Sequence, residues 1–283
     1  MPELPEVETI VRSLRGGGQF GMPVIDRQIV HGQVLWEKTI AVPTAAQFLQ
    51  EIVGRRVKDV TRRGKFIILR LDQGNLLVHL RMSGDIRVEA SMAEQEQLPH
   101  DRVSLIFDDG VRLVFNDARK FGRMWLVGDT AAVVGGLGID PLDVSLGTAT
   151  FYAMLQRHQR QLKPLLMDQT FLAGMGNIYT DEALHLARLH PLTRSHQVSE
   201  AQAARLLEAM RQVLQAGILR NGASIDWVYR GGQFQNEFRV YQRNGEACPE
   251  CGMSIERLVV GQRGTHICPQ CQTLEPIEEG VDG

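Results

Sequence analysis

Four cysteines lie together near the carboxyl end of the 283-residue chain, and they constrain its folding more than any other feature. They form two Cys-x2-Cys pairs separated by sixteen residues, namely Cys248, Cys251, Cys268 and Cys271. This spacing is typical of two tight turns that present four thiolates to one tetrahedral zinc ion. The alternative is a pair of disulfides, which suits a secreted protein. We predict one structural Zn²⁺, because four protein ligands leave no open coordination position.

Length and composition predict a globular protein with more than one domain. Apolar residues make up 43% of the chain, but no apolar run is long enough to cross a bilayer and no secretory leader is evident. We therefore expect no membrane association and a cytoplasmic, nucleoid-associated location. Four of the 33 acidic residues and none of the 31 basic ones lie in the tail 275–283, so the rest is slightly basic. Six cations between residues 55 and 65 indicate either a solvated face or a phosphate site.

The hydrophobic pattern changes from strand-like to helical along the chain. Strands are predicted at 66–71 and 76–80, and a hairpin joins 103–107 to 111–115 across a Gly-containing turn. Glycines and a proline at 135–141 indicate a linker. Ser199-Glu200-Ala201-Gln202 then predicts a capped helix that ends at Asn221-Gly222. We predict a catalytic β-sandwich domain at 1–134, a linker at 135–147, a helical domain at 148–240, a cysteine module at 241–274 and an acidic tail at 275–283.

The chain begins Met-Pro-Glu-Leu-Pro-Glu, and this start has two interpretations. If Met1 is removed, Pro2 exposes a secondary amine that is partly unprotonated near neutral pH and can attack an electrophilic sugar carbon. Glu3 is then the nearest acid or base. The alternative is an ordinary helix start, because prolines and acids suit a first turn and Val7, Ile10, Val11 and Leu14 follow with helical spacing.

Two further segments indicate phosphate contacts. Gly174-Met175-Gly176-Asn177-Ile178-Tyr179 lacks the third glycine of a dinucleotide site, and no parallel strand unit surrounds it. It predicts instead a helix start at Asn177 whose backbone N–H groups and side-chain amide face an anion, or simply a helix cap. Between the cysteine pairs, Gly261 to Thr265 predicts a hairpin tip that carries Arg263, either as a solubilising residue or as a phosphate ligand.

Six motifs occur in a fixed order along the chain: Pro2 to Thr9, Arg62-Arg63-Gly64-Lys65, His79 to Gly84, Asp117 to Gly122, Asp168-Gln169 with Gly174 to Tyr179, and the cysteine module with Gln262 to Thr265. In this arrangement the chain resembles the formamidopyrimidine-DNA glycosylases, a family that includes endonuclease VIII. The resemblance implies an α+β multidomain fold: an N-terminal β-sandwich with flanking helices, a helix-two-turns-helix domain and a C-terminal zinc β-hairpin. It also implies a base-excision-repair enzyme that removes oxidised purines from double-stranded DNA and cleaves the resulting abasic site.

The resemblance further implies roles for individual residues. Pro2 is expected to form a Schiff base with the sugar, followed by β- and δ-elimination, and Glu3 to assist sugar opening and proton transfer. Lys65 and Arg263 are expected to donate protons or to clamp phosphates. The residues expected to contact DNA are His100, Asn177, Arg160 and the wedge formed by Met82, Arg119 and Phe121. We expect a monomer that needs no nucleotide cofactor.

The chain departs from the family pattern at several positions. His158 stands where many relatives have a basic residue, with Arg157, Arg160 and Lys163 nearby, and Ala118 replaces a usual proline. The segment 227–235 is shorter than the loop that covers 8-oxoguanine in many relatives. Two alternatives therefore stay open beside oxidised-purine excision: the same chemistry on oxidised pyrimidines, and a non-catalytic binder of damaged DNA. The corresponding structural alternatives are that Met82 and Phe121 are core residues and that Lys65 is a surface cation.

Overall fold

A computed structural model of the full chain describes residues 1–90, 97–225, 229 and 231–274. The chain divides into two compact units. Unit 1 contains Met1–Leu137 and Gly217–Gln235, and unit 2 contains Gly138–Ala216 and Asn236–Gly283. The predicted acidic tail 275–283 lies outside the described residues. No described helix is long and apolar enough to cross a membrane.

Unit 1 is a β-sandwich with flanking helices, as predicted. One sheet has the strand order β1-β7-β8-β6 and the other β2-β9-β5-β4-β3. The elements are α1 (Leu4–Gly16), β1 (Ile29–Val34), β2 (Ile40–Val42), α2 (Ala45–Ile52), β3 (Val57–Arg63), β4 (Phe66–Leu71), β5 (Asn75–His79), β6 (Gly84–Ala90), β7 (Asp101–Phe107), β8 (Val111–Asp117), β9 (Arg123–Val127) and α3 (Ala131–Val134). The predicted strand 66–71 is confirmed, 76–80 is displaced by one residue, and the β7–β8 hairpin turns at Gly110 with φ 81°.

The five-stranded sheet of unit 1 is apolar on both faces. Ile67 and Leu69 of β4 pack into the core between the sheets, together with Val7 and Ile10 of α1. Ile68 faces the other way, into a second cluster that includes Val134 of α3. Successive side chains on a strand alternate between faces, so a strand covered on both sides is apolar at nearly every position. This explains the almost continuous apolar run that predicted β4.

Unit 2 is helical and ends in a small β-hairpin. Its elements are α4 (Thr148–Gln156), α5 (Leu162–Leu166), α6 (Asn177–Leu186), α7 (Glu200–Leu219, whose last residues belong to unit 1), β10 (Glu256–Val260) and β11 (Arg263–Ile267). The segment between α5 and α6 contains the two turns of a helix-two-turns-helix motif. The predicted capping box of α7 is present: Ser199 N–H donates to the Gln202 amide oxygen (2.8 Å), and Gln202 N–H donates to the Ser199 hydroxyl (3.3 Å).

Candidate active site and DNA-binding residues

The N-terminal residues lie at the start of α1, so the predicted helix start is present. Pro2 and Glu3 are buried, Glu3 retains only 3% of its exposure, and Met1 is 42% exposed. The Glu6 carboxylate accepts the backbone N–H of Glu3 (2.8 Å) and fixes the entry to the helix. A helix start does not exclude chemistry here, because it holds Pro2 at the positive end of the helix dipole beside a buried carboxylate.

Glu6 also binds a distant segment of unit 1, a contact that sequence reasoning missed. Its second oxygen accepts the backbone N–H of Ala223 (2.8 Å). Gly222 has φ 80°, and a Cβ atom there would lie 2.7 Å from Glu6 Oε1, so this turn requires glycine. Tyr229 donates its hydroxyl to the Asn221 carbonyl (2.6 Å), and burial, followed by the charge of Glu6, raises its pKa. Residues 227, 228 and 230 of the predicted short loop lie outside the described residues.

Lys65 occupies the turn between β3 and β4, and α1 packs against both strands. Arg62 Nε donates to Glu8 Oε2 (3.1 Å) and joins this hairpin to the first turns of the helix. Burial would raise the pKa of Glu8, but hydrogen bonds from Arg12 and Arg62 outweigh it and lower that pKa. Lys65 is only 5% exposed, so the interpretation of Lys65 as a surface cation is wrong. The hairpin that carries Lys65 is therefore fixed against α1, the helix that follows Pro2 and Glu3.

Most of the other cations between residues 55 and 65 have partners within the protein. Arg55 donates to the Gln73 carbonyl (2.7 Å), Arg63 to the Leu137 carbonyl (3.1 Å), and Lys58 lies 3.8 Å from Asp26. These contacts favour the structural interpretation of the run over a continuous phosphate-binding patch.

The predicted wedge residues sit on two adjoining turns of unit 1. Ser83, next to Met82, donates its hydroxyl to the Asp117 carboxylate and accepts the backbone N–H of Arg119 (3.1 Å). Met82 is 42% exposed and Phe121 is 47% exposed, so the interpretation of both as core residues is wrong. The Arg119 guanidinium carbon lies 5.0 Å from the centroid of the Phe121 ring. Arg119 and Phe121 thus form one exposed pair on the turn that Asp117 holds, and Met82 is exposed on the adjoining turn.

The wedge turn is fixed with Ala118 after Asp117 instead of the expected proline. The Asp117 carboxylate accepts the backbone N–H groups of Gly122 (2.7 Å) and Arg119 (3.2 Å). Lys120, which has φ 62°, places its ammonium 4.0 Å from the centroid of the Trp36 ring. This cation–π contact is a second anchor that the sequence pattern did not reveal.

His100 precedes β7 and is exposed, with φ 74°. Its backbone carbonyl accepts the Asp117 N–H (2.9 Å), which places His100 beside the wedge turn in unit 1.

In unit 2, Asn177 and Lys163 meet at the backbone carbonyl of Gly264, the residue that follows Arg263. Asn177 Nδ2 donates to the Gly264 carbonyl (3.0 Å), and Lys163 Nζ donates to the same oxygen (3.1 Å). Gly261 and Gln262 both have positive φ (54° and 63°), which is the two-residue turn expected between β10 and β11. Arg263 follows this turn and is exposed.

Lys163 belongs to a buried ion pair that sequence reasoning missed. Its ammonium lies 2.5 Å from Asp181 Oδ1, and both side chains are 0% exposed. Asp181 Oδ2 accepts the backbone N–H of His266 in β11 (2.9 Å). The pair thus joins α5 and α6 to the hairpin. Lys163 is therefore not a DNA contact, although it lies in the basic segment around His158.

Arg160 binds an acidic partner on the surface of unit 2. Its Nη1 lies 2.6 Å from Asp168 Oδ2, and the Arg160 side chain is 46% exposed. The hydrogen bond from Arg160 lowers the pKa of Asp168. The His158 ring packs edge-on against Phe171 at 5.4 Å between centroids. Of these two residues, Arg160 is exposed and His158 is only partly exposed.

The four cysteines form the predicted metal site. Their sulfur atoms all lie within 4.8 Å of one another, and contacts of 3.3 Å (Cys251 to Cys268) and 3.9 Å (Cys248 to Cys271) bracket the sulfur spacing of a tetrahedral zinc site. The backbone N–H groups of Glu250 and Cys271 each point at a cysteine sulfur (3.4 Å) and would stabilise thiolate charge. One zinc ion fits these ligands, and its chemistry is structural because all four positions are filled by protein.

Family models match all three parts of the chain. The formamidopyrimidine-DNA glycosylase N-terminal domain matches residues 1–124, its H2TH domain matches 137–228, and the zinc finger found in FPG and IleRS matches 245–274.

Full-length relatives and solved structures agree. The formamidopyrimidine-DNA glycosylase of Protochlamydia amoebophila is 41% identical, covering 96% of this chain and 99% of that protein. The one from Chloroflexus aggregans is 42% identical, covering 97% and 99%. A Lactococcus lactis enzyme bound to Fapy-dG DNA has a TM-score of 0.87 at 33% identity, covering 96% of this chain and 100% of that one. A MutM complex with carbocyclic 8-oxo-G DNA has the same TM-score, identity and coverage. This chain therefore belongs to the formamidopyrimidine-DNA glycosylase family.

Proposed function

We propose that this enzyme excises oxidised purines through the secondary amine of Pro2 and then cleaves the abasic strand. The observation that carries this proposal is the placement of Pro2 and Glu3, both buried, at the start of a helix that packs against the hairpin bearing the buried Lys65. Related structures contain DNA with Fapy-dG, with carbocyclic 8-oxo-G or with an abasic site. These substrates support formamidopyrimidines and 8-oxoguanine as the lesions, rather than oxidised pyrimidines.

The reaction begins after removal of Met1 frees the Pro2 nitrogen. This nitrogen bonds to C1′ of the damaged nucleotide as the glycosidic bond breaks with its electron pair going to the base. The proton lost by the amine balances the one that the departing base takes up, and Glu3 protonates the ring oxygen as the sugar opens. A secondary amine gives a cationic iminium, which acidifies the C2′ hydrogen. Loss of that proton expels the 3′ phosphate, and a second elimination expels the 5′ phosphate. A gap of one nucleoside remains.

Lys65, Arg263 and Asn177 act on the phosphates and on proton transfer. Lys65 holds a positive charge in a buried turn, where it attracts a phosphate more strongly than a solvated lysine does. Arg263 lies on the hairpin of β10 and β11. The backbone carbonyl of the next residue, Gly264, accepts hydrogen bonds from Asn177 and Lys163. A guanidinium on such a support grips phosphate through two parallel hydrogen bonds. Exposed Arg160 and His100 add contacts to the DNA backbone.

The wedge residues support extrusion of the damaged nucleotide. Unstacking a base costs a few kcal/mol, and an apolar side chain that fills the gap offsets part of that cost. Met82 and Phe121 expose apolar surface that a soluble protein would otherwise bury. Arg119, held over the Phe121 ring, faces the orphaned base.

Two substrates separate the roles of Pro2 and Glu3. One duplex contains 8-oxoguanine, and the other contains a preformed abasic site whose sugar is already partly open. We expect Glu3→Gln to lose most excision of 8-oxoguanine while retaining more strand cleavage at the abasic site. Pro2→Gly should lose covalent trapping and slow both reactions, because a primary amine is a poorer source of the iminium. Equal loss on both substrates in Glu3→Gln would contradict the role given to Glu3.

The enzyme is proposed to act in the cytoplasm as a monomer that needs no nucleotide cofactor. Analytical ultracentrifugation of the zinc-loaded protein, with and without duplex DNA, should show one protein per DNA. A stable dimer that alone retains activity would contradict this.

A further inference from the structure

Arg102 is the extra residue of a β-bulge between β7 and β8. Asp101 pairs with Asn116 and Val103 pairs with Phe115, so Arg102 has no residue opposite it. Bulges redirect the side chain of the unpaired residue. The redirected Arg102 Nε donates to the backbone carbonyl of Asp117 (2.8 Å), at the start of the wedge turn.

The same guanidinium reaches the ring of His100. Arg102 Nη2 lies 3.3 Å from His100 Nδ1. A guanidinium has donors and no acceptor, so Nδ1 must be the acceptor in this contact. The ring proton of neutral His100 is then on Nε2. His100 is exposed and its carbonyl accepts the Asp117 N–H, so both ends of the residue are tied to the turn.

We propose that Arg102 is a positioning residue for DNA binding. It holds His100 as the Nε2–H tautomer, which donates to a DNA phosphate, and it keeps His100 in register with the turn that carries Arg119 and Phe121. The inference rests on the proposed role of His100 as a DNA contact. Arg102 acts through His100 and does not itself touch the phosphate.

Substitutions at His100 test the tautomer. Glutamine places an amide N–H₂ near the position of Nε2, whereas asparagine places it near Nδ1. We expect His100→Gln to retain most of its affinity for an abasic duplex. We expect His100→Asn to bind roughly tenfold more weakly, because it loses one hydrogen bond to a charged group. Wild-type affinity in both variants would show that His100 does not contact DNA, which would remove the proposed function of His100. An equal loss in both variants would instead overturn the Nε2–H tautomer.

A double-mutant cycle tests the role of Arg102. Arg102→Met should weaken binding by a factor similar to that of His100→Asn, and the effect should disappear in the His100→Asn background. The slope of log affinity against log salt should stay unchanged, whereas loss of a direct phosphate contact would reduce it by about one. The matched control is Arg112→Met, on the same sheet and paired with Glu89. A persistent effect of Arg102→Met without His100, or a reduced salt slope, would overturn the proposal.

Nitrogen-15 NMR of His100 in the free, zinc-loaded enzyme provides a readout that does not depend on DNA. We expect an unprotonated Nδ1 and a protonated Nε2 in the wild-type enzyme, with the His100→Gln spectrum providing the assignment. A protonated Nδ1 would overturn the Arg102 contact even if His100 proves to bind DNA.

Discussion

His79 lies deep in unit 1, with 8% of its surface exposed. Burial, followed by the positive charges of Arg81 and Lys65, lowers its pKa to about 3. Its Nδ1 accepts the backbone N–H of Arg81 (3.0 Å), and its ring packs edge-on against Phe66 (4.6 Å between centroids). His79 is therefore neutral at physiological pH and cannot supply the proton for sugar opening.

The pKa of His79 makes unit 1 sensitive to acid. The folded-state pKa of about 3 lies below the ordinary histidine value of 6.5, so the unfolded chain binds the proton first. The contribution of His79 to the free energy of unfolding is fully present above pH 6.5. It falls by about 1.4 kcal/mol per pH unit as the pH decreases toward 3. His79→Asn keeps an acceptor for the Arg81 N–H but cannot titrate, so its stability should fall less.

Urea unfolding followed by tryptophan fluorescence tests this, because Trp36 and Trp125 lie in unit 1. Between pH 7 and pH 5 the wild-type enzyme should lose about 2 kcal/mol more than His79→Asn. An equal loss of unfolding free energy in the two proteins would contradict the lowered pKa of His79.

Single residues were also where the sequence was most ambiguous. The types Met, Phe and Lys do not by themselves distinguish an exposed wedge from a core, or a buried cation from a solvated one. Those distinctions depend on the turns that carry Met82, Phe121 and Lys65, and on hydrogen bonds such as Ser83 to Asp117. Such contacts join residues far apart in the chain and leave no local periodicity.

At the scale of elements, the hairpin β10–β11 depends on both the zinc ion and the ion pair below it. The cysteines hold the two ends of the segment, and Lys163 and Asp181 bind β11 from α5 and α6. A buried ion pair stabilises a fold little more than well-packed apolar side chains of the same volume would. Removing one partner, however, leaves an uncompensated buried charge. The pair therefore specifies the position of the hairpin.

Lys163→Met should destabilise unit 2 by roughly 3–5 kcal/mol. Adding Asp181→Asn should recover part of this loss, because the unpaired charge is then gone. The matched control is Arg160→Met, whose pair with Asp168 is half exposed and should contribute less than about 1 kcal/mol. Hydrogen exchange of the β11 amides provides the measurement. A double variant as unstable as the sum of the singles would contradict the charge argument.

Removal of zinc should disorder the hairpin while leaving the sandwich folded. Chelation removes the ion that cross-links four thiolates, and structural zinc supplies folding free energy directly. We expect one equivalent of zinc per chain, faster exchange in β10 and β11, and loss of DNA binding through Arg263. Exchange in β4 and β5 should not change. Normal DNA affinity in the fully zinc-free protein would contradict this.

At the scale of the whole molecule, the order of motifs made the family recognisable, and the alternation of strand and helix patterns predicted a sandwich followed by helices and a zinc hairpin. The sequence did not reveal Glu6 bound to Ala223, Lys163 bound to Asp181, or Arg102 bound to His100. The first two pairs join different elements, and the third depends on a bulge. Acidic and basic residues on helices are usually solvated, so no sequence signal singled these out.

The net charge of −2 does not describe the DNA-binding residues. Lys65, Arg160 and Arg263 are proposed to neutralise three phosphates, and each releases a counterion. Affinity falls with about the 0.9 power of the salt concentration for each neutralised phosphate. For three phosphates, raising the salt concentration from about 50 to about 200 mM should weaken binding roughly fortyfold. Fluorescence anisotropy with an abasic duplex measures this. Affinity that does not change with salt would contradict phosphate neutralisation.

The central claim is that the Pro2 nitrogen bonds covalently to the sugar. Its most direct test is borohydride reduction of the enzyme mixed with duplex DNA containing 8-oxoguanine, followed by proteolysis and tandem mass spectrometry of the cross-linked peptide. The account predicts a peptide that begins at Pro2, without Met1, with the deoxyribose remnant on its α-nitrogen. A remnant on Lys65 or any other side chain, or an active enzyme that retains Met1, would contradict it.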